Sequence, residues 1–245
     1  MARGPLPPAV AVRTPSTRAG GPARESPTDG TWYRLLEGLL LSLPAVIGVG
    51  IVGLLAEHPD TRVGRLLLAL ASAAGVLIRV GVPVCVLMDA RRLRRQRLWR
   101  PWGNAYALGA LVLSAPVFGL LYLYRRHDRV PVAPGWDGWW VLVAASLGGA
   151  LTGVPIALLA YVLALPPLVV AVPALAGGLT LAAFPVGIYR DAVYLRNSGA
   201  DWRPNPALYL ALAFASLLLT VLQPPVAAYY LYRRQAALPV RLDRG

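Results

Sequence analysis

From Trp32 onward the chain alternates between long apolar runs and short basic connections. The runs show neither the period of two that marks a half-buried strand nor the narrow stripe of an amphipathic helix. Runs of about 18 residues or more with few charges are candidates to span a bilayer. Six are expected, over residues 32–55, 66–88, 106–124, 139–163, 168–189 and 206–232. At about 1.5 Å of rise per residue, each has the reach to cross a hydrocarbon layer of about 30 Å. Only Pro166-Pro167 and the length of the run separate the fourth span from the fifth. The expected fold class is all-α, a polytopic transmembrane helix bundle.

The polar positions between the runs occur twice. The first copy reads Pro83-Val84, Asp89-Ala90, Leu93-Arg94, Trp99-Arg100-Pro101, Tyr106, then an apolar run ending Tyr122-Leu123-Tyr124-Arg125-Arg126. The second reads Pro185-Val186, Asp191-Ala192, Leu195-Arg196, Trp202-Arg203-Pro204, Tyr209 and Tyr230-Leu231-Tyr232-Arg233-Arg234. The offset is 102 residues at the aspartates, 103 at the tryptophans and 108 at the arginine pairs. An internal repeat of this size divides the chain into two related three-helix halves. The expected domains are a disordered basic tail rich in Pro, Ala and Gly (1–30), membrane repeat 1 (31–130), membrane repeat 2 (131–236) and a short C-terminal tail (237–245). Three expected spans separate Asp89 from Asp191. That odd number predicts loops on opposite faces and halves of inverted topology, as in many secondary transporters.

The module Asp-Ala-x-x-Leu-Arg, Trp-Arg-Pro, Tyr-Leu-Tyr-Arg-Arg resembles one found in uncharacterised multi-pass membrane proteins of halophilic archaea. The resemblance covers about residues 184–235 well. It is weaker in copy one, where Arg91-Arg92 replaces Val193-Tyr194 and Trp102-Gly103 interrupts the Pro-Asn-Pro pattern. It implies a multi-pass membrane protein and carries no activity with it.

Composition sharpens this picture. The chain is 57% hydrophobic, with a mean hydropathy of +0.56 and only 14% charged residues. Its formal charge of +13 comes from arginine alone, since the sequence has no lysine. Arginines crowded at the ends of apolar runs are the pattern of bilayer orientation, so nucleic acid is not an expected partner. With six spans the inner segments hold 15 arginines and the outer segments 8, which places both termini on the cytoplasmic side of the cell membrane. Trp32, Tyr33, Trp99, Trp102, Trp136, Trp139, Trp140 and Trp202 lie at segment ends, where amphipathic rings favour the headgroup level. Asn205-Pro206 reads as an N-cap and first helical residue, with Asn104 as its counterpart in copy one.

Three features carry candidate chemistry. The repeated interfacial residues Asp89, Arg94, Trp99, Asp191, Arg196 and Trp202 read as an anchor in which each Asp pairs with a local Arg. Each terminal Tyr-Leu-Tyr-Arg-Arg then supplies two belt aromatics and two snorkelling cations. Arg91, Arg92, Arg95 and Arg97 are candidate contacts for anionic lipid headgroups, at about 1 kcal/mol per cation. Glu37 and Arg79 lie at depth in the first two spans with an axial separation of roughly 6 Å, and are expected to form an intramembrane polar pair.

Each span also contains proline: Pro44, Pro83, Pro116, Pro155, Pro173 and Pro185, and Pro224 with Pro225. These read as kinks of the kind common in spanning helices. Gly149-x-x-x-Gly153 and Ala115-x-x-x-Gly119 have the spacing of close helix contacts. His58 and His127 are expected in solvated connections, and Cys85, the single cysteine, lies within an apolar run. No nucleophile with a base, metal cluster or phosphate-cradling glycine loop is visible, so neither an enzyme nor a cofactor is expected. The expected function is a non-enzymatic scaffold or modulator whose partners are the bilayer, anionic headgroups and an unidentified protein. The alternative is a small-solute or ion transporter built on an inverted repeat.

Overall fold

The computed structural model describes residues 30–55, 62–164 and 167–237. The expected tails, His58 and the Leu165-Pro166 break lie largely outside those residues. Among the described residues the protein is entirely helical, with no strand. Two of its helices are long and apolar enough to cross a membrane, Thr31–Leu54 and Arg62–Arg95.

The first apolar run forms α1 (Thr31–Leu41) and α2 (Leu43–Leu55), nearly continuous across Ser42. Helix α3 (Arg62–Arg95) returns antiparallel to them. Gly30 lies against the Arg92 side chain, Leu39 against Gly81, and Gly53 against Leu67 and Leu68. Pro83 sits inside α3 without ending it. One end of the bundle thus holds Gly30 and Arg92, and the other holds Leu55 and Arg62.

The next run does not behave as a third span. It forms α4 (Gly103–Val112) and α5 (Ala115–Arg129), which fold back on each other at Leu113-Ser114. The rings of Tyr106 and Tyr122 stand 5.7 Å apart, whereas sixteen residues of straight helix would separate them by about 24 Å. Gly109 likewise lies directly against the Phe118 ring, which leaves no room for a Cβ. Pro116 is responsible in part. It occupies the first turn of α5, where its missing N–H and fixed φ suit a helix start. The expected kink is a reversal.

The second half repeats the plan. Helix α6 (Trp140–Val162) leaves the Gly30 end and α7 (Pro167–Asn197) returns to it, with Gly187 packed against Leu142. Helices α8 (Pro206–Leu218) and α9 (Gln223–Ala237) then form a second hairpin, closed through a 3-10 turn at Thr220–Leu222. Tyr209 and Tyr230 meet at 4.9 Å between ring centroids. Asn205 caps α8 as expected, its side chain accepting from the Ala207 N–H at 3.1 Å. Asn104 does not cap α4, which begins one residue earlier at Gly103.

Because both hairpins return to the end they start from, the two repeated loops lie at the same end of the molecule. The inverted arrangement is therefore incorrect, and so is the reading of residues 106–124 and 206–232 as straight spans. Each half is an antiparallel pair of long helices followed by a half-length hairpin. The halves meet through α1, α2 and α5 of the first and α7 and α8 of the second.

Replacing Gly109 by Val should prise α4 from Phe118 and lower stability by about 1–3 kcal/mol. Gly148, with open space around its would-be Cβ, should accept Val with a change within about 0.5 kcal/mol. Thermal unfolding of the two variants makes the comparison.

Candidate functional site

The polar side chains of the repeat assemble into one box per half. In the first, Asp89 near the end of α3 is fully buried. Its Oδ2 accepts from the Tyr122 hydroxyl at 2.7 Å and from Arg126 Nε at 2.9 Å, both on α5. Trp99 stacks on Tyr122 at 5.6 Å, and Tyr106 meets it edge-on. The Arg126 guanidinium lies 3.6 Å over the Tyr33 ring of α1.

The second box repeats these contacts. Asp191 Oδ2 accepts from the Tyr230 hydroxyl and from Arg234 Nε, each at 2.9 Å. Trp202 and Tyr209 enclose Tyr230. Arg234 lies 5.4 Å over the Trp140 ring of α6.

Each aspartate therefore has an arginine partner, but not a neighbour in its own loop. It takes the last residue of the Tyr-Leu-Tyr-Arg-Arg signature, from the returning arm of the hairpin. The first Tyr and last Arg are four residues apart and so share one helix face. Only the middle Tyr and first Arg of each signature (Tyr124 and Arg125, Tyr232 and Arg233) are exposed. The expectation of two snorkelling cations per copy is corrected accordingly: Arg126 has no exposed surface.

A second polar cluster joins the halves. Glu37 on α1 is 3% exposed. Its Oε1 accepts from the hydroxyls of Tyr33 and Tyr189, the latter at 2.5 Å, and its Oε2 from Arg190 at 3.1 Å. Both tyrosines donate to the carboxylate, so the 3.1 Å contact between His127 Nε2 and the Tyr189 oxygen requires the imidazole to be the donor. His127 therefore carries a proton on Nε2, and its Nδ1 is buried without a hydrogen-bond partner, which suits the neutral ring. It is 3% exposed and not a solvated loop residue. Burial pushes its pKa well below the usual 6.5, and the nearby Arg126 and Arg196 charges push the same way. An open cleft of about 590 Å³ between the halves borders Glu37 and Arg190.

The expected Glu37–Arg79 pair does not form. Leu39 turns the α3-facing side of α1 toward Gly81, and Arg79 lies about 200° round α3 from that glycine. Arg79 instead donates to the Leu111 carbonyl at the turn of the first hairpin, at 3.4 Å.

Outside the boxes, Arg196 bridges to the Asp128 carboxylate and the His127 carbonyl at 3.0 Å each, and Asn205 donates to Asp128 at 3.0 Å. Arg94 donates to the Pro101 carbonyl at 3.1 Å. Arg94, Arg95, Arg97 and Arg100 line an open cleft of about 720 Å³ at the start of α4, while Arg91 and Arg92 sit on the last turns of α3 away from it. Trp99 and Trp202 are half-buried at this same end. Among the described residues no three of His, Cys, Asp and Glu gather closely enough to hold a metal ion. Compared with known proteins, the chain matches no family model, no curated protein and no solved structure.

Two measurements follow. Removing Asp89 alone strands a buried guanidinium, so Asp89→Ala should cost about 3–5 kcal/mol, and Asp89→Ala with Arg126→Met should recover most of that. A double-mutant cycle by thermal unfolding reads both numbers. His127 binds its proton more weakly folded than unfolded, so stability should fall as pH drops below about 6.5, by up to about 1.4 kcal/mol per pH unit. In His127→Gln that component of the acid-side loss should vanish.

Proposed function

We propose that the protein is a multi-pass membrane protein in which four helical passes cross the bilayer and two half-length hairpins dip into it from one face. The passes are α1 with α2, α3, α6 and α7. The observation that carries this reading is where apolar surface is exposed. Ile47, Val52, Leu54, Leu66, Leu77, Leu113, Leu151, Val162 and Leu218 are each more than half exposed, while Asp89, Asp191, Glu37 and Arg126 are buried. Soluble monomers do not present so much contiguous apolar surface.

Arginine placement supports the same reading more strongly with four passes than with six. Of the eighteen described arginines, fifteen lie at the end that holds the repeated loops, Arg62 and Arg65 at the other, and Arg79 between. By the positive-inside bias the basic end, where α1 begins and α9 ends, faces the cytoplasm. The resemblance to multi-pass proteins of halophilic archaea agrees with this class.

The function is that of a non-enzymatic scaffold whose basic face meets anionic headgroups and a protein partner. The shared face of the two loops and the separation of Glu37 from Arg79 favour this reading over a transporter built on an inverted repeat. In a Cys85→Ala background, Gln96→Cys and Ser198→Cys should both label with an impermeant maleimide from the cytoplasmic side only. Ser114→Cys and Leu219→Cys, at the hairpin tips, should resist it from both sides. Opposite-side labelling of Gln96→Cys and Ser198→Cys would overturn the arrangement.

A further inference from the structure

The two repeated loops share a backbone plan and have different surroundings. In the second, Arg196 at the end of α7 and Asn205 ahead of α8 close on a carboxylate, that of Asp128, brought by the other half. Their counterparts in the first loop are Arg94, at the end of α3, and Trp102, ahead of α4. Both line the open cleft of about 720 Å³, whose wall includes no carboxylate. Arg95, Arg97 and Arg100 join Arg94 on its wall, and among the described residues no carboxylate pairs with Arg95, Arg97 or Arg100. The loop that lacks the protein's own acid has gathered cations instead.

Two details sharpen the contrast. Arg97 has φ 57, in the left-handed region, and its counterpart Gly199 has φ 82. Glycine adopts that conformation freely and arginine does not. The first loop keeps a strained arginine where the second uses the unstrained residue, and its side chain lines the cleft. The floor of the cleft is the first turn of α4, Gly103 to Ala105. Trp102 offers that turn no side-chain cap, so the first N–H groups of a helix that borders the cleft lack a side-chain acceptor.

We infer that this cleft binds a phosphate-class anion. Planar guanidinium forks match phosphate oxygens two at a time, and cations crowded without a counter-charge raise the local potential that attracts one. The membrane reading bears only on the source: the phosphate is that of a lipid headgroup, with exposed Trp102 at the headgroup level, or a free phosphate from solution.

The test uses the full chain, purified in neutral detergent and titrated with inorganic phosphate against chloride at equal ionic strength, with Trp fluorescence as the readout. In a parallel arm the protein is reconstituted into phosphatidylcholine vesicles with and without phosphatidylglycerol, and retained lipid is measured by native mass spectrometry. Arg97→Gly restores the residue that the backbone favours and removes one cation, so it should fold at least as well as the parent. Arg95→Gln is the second variant and Arg62→Gln, at the opposite end, the control. Each loop variant should weaken binding at least tenfold in whichever arm shows it, with Arg62→Gln unchanged. Binding only to phosphatidylglycerol assigns a lipid phosphate, and binding in both arms a free one. Undiminished binding by Arg97→Gly and Arg95→Gln, or no binding in either arm, would overturn the site. Flotation of the parent protein with phosphatidylcholine alone tests membrane insertion separately, so the two readings can fail independently.

Discussion

Everything at the basic end depends on a buried carboxylate that takes a hydroxyl and a guanidinium from one face of the helix returning toward it. An arginine with no exposed surface, such as Arg126, is tolerable only with its charge matched by a buried carboxylate. Asp89 does this for the first half and Asp191 for the second. The requirement shapes the backbone. To bring Tyr122 and Arg126 to Asp89, the chain that leaves the end of α3 must come back to that end, so the apolar run between has to reverse. The tryptophan and tyrosine that open each hairpin then cover the hydroxyl donor and keep water off the ion pair.

The halves repeat one another without meeting as equals. The seam uses α1, α2 and α5 from one half and α7 and α8 from the other, whereas among the described residues the reciprocal pairs α3–α6 and α4–α9 make no comparable contact. Equivalent positions therefore face different surroundings and have diverged in chemistry. Tyr189 and Arg190 reach Glu37 across the seam. Their counterparts Leu87 and Met88 are apolar. Both box arginines still lie over an aromatic ring on the first helix of their half, Tyr33 or Trp140. What is kept is the box, and what has changed is the face beside it.

Much of this was legible in the residues. The repeat, the helical class and the Asn205 cap could be read from the residues, whereas the arginine that pairs with each aspartate comes from the returning arm of the hairpin and not from its own loop. The four-residue spacing of Tyr122 and Arg126, repeated at Tyr230 and Arg234, would also have placed donor pairs on one buried face. The hairpins were harder to see. An arm of 10 residues and an arm of 15 add up to the length of a span, and a hydropathy window cannot distinguish one straight crossing from two half-depth arms. Proline was the available signal, since Pro116 and Pro224 stand mid-run in both copies, each in the first turn of a new helix, while Pro83 and Pro185 stand inside helices that continue past them. Proline starts a helix as readily as it kinks one, so the residue type alone did not decide. The Glu37 cluster gave no local signal, because Tyr33, His127, Tyr189 and Arg190 come from three helices.

On the membrane reading, a hairpin tip is the least comfortable part of the fold, since reversed backbone in hydrocarbon exposes carbonyls without partners. The two tips meet this differently. In the second, a 3-10 turn engages backbone groups internally, with Leu219 N–H donating to Ala215 O at 3.0 Å and Leu222 N–H to Leu219 O at 2.8 Å. In the first, Leu113 and Ser114 N–H both return to Gly109 O, and the Leu111 carbonyl at the tip is reached by Arg79. A cation beside the carbonyl end of α4 is also favoured by the helix dipole. An ionisable residue at that depth by default suggests a transport path or a buried partner carboxylate. Here its contact is with the turn of the hairpin, and that contact accounts for its position without either.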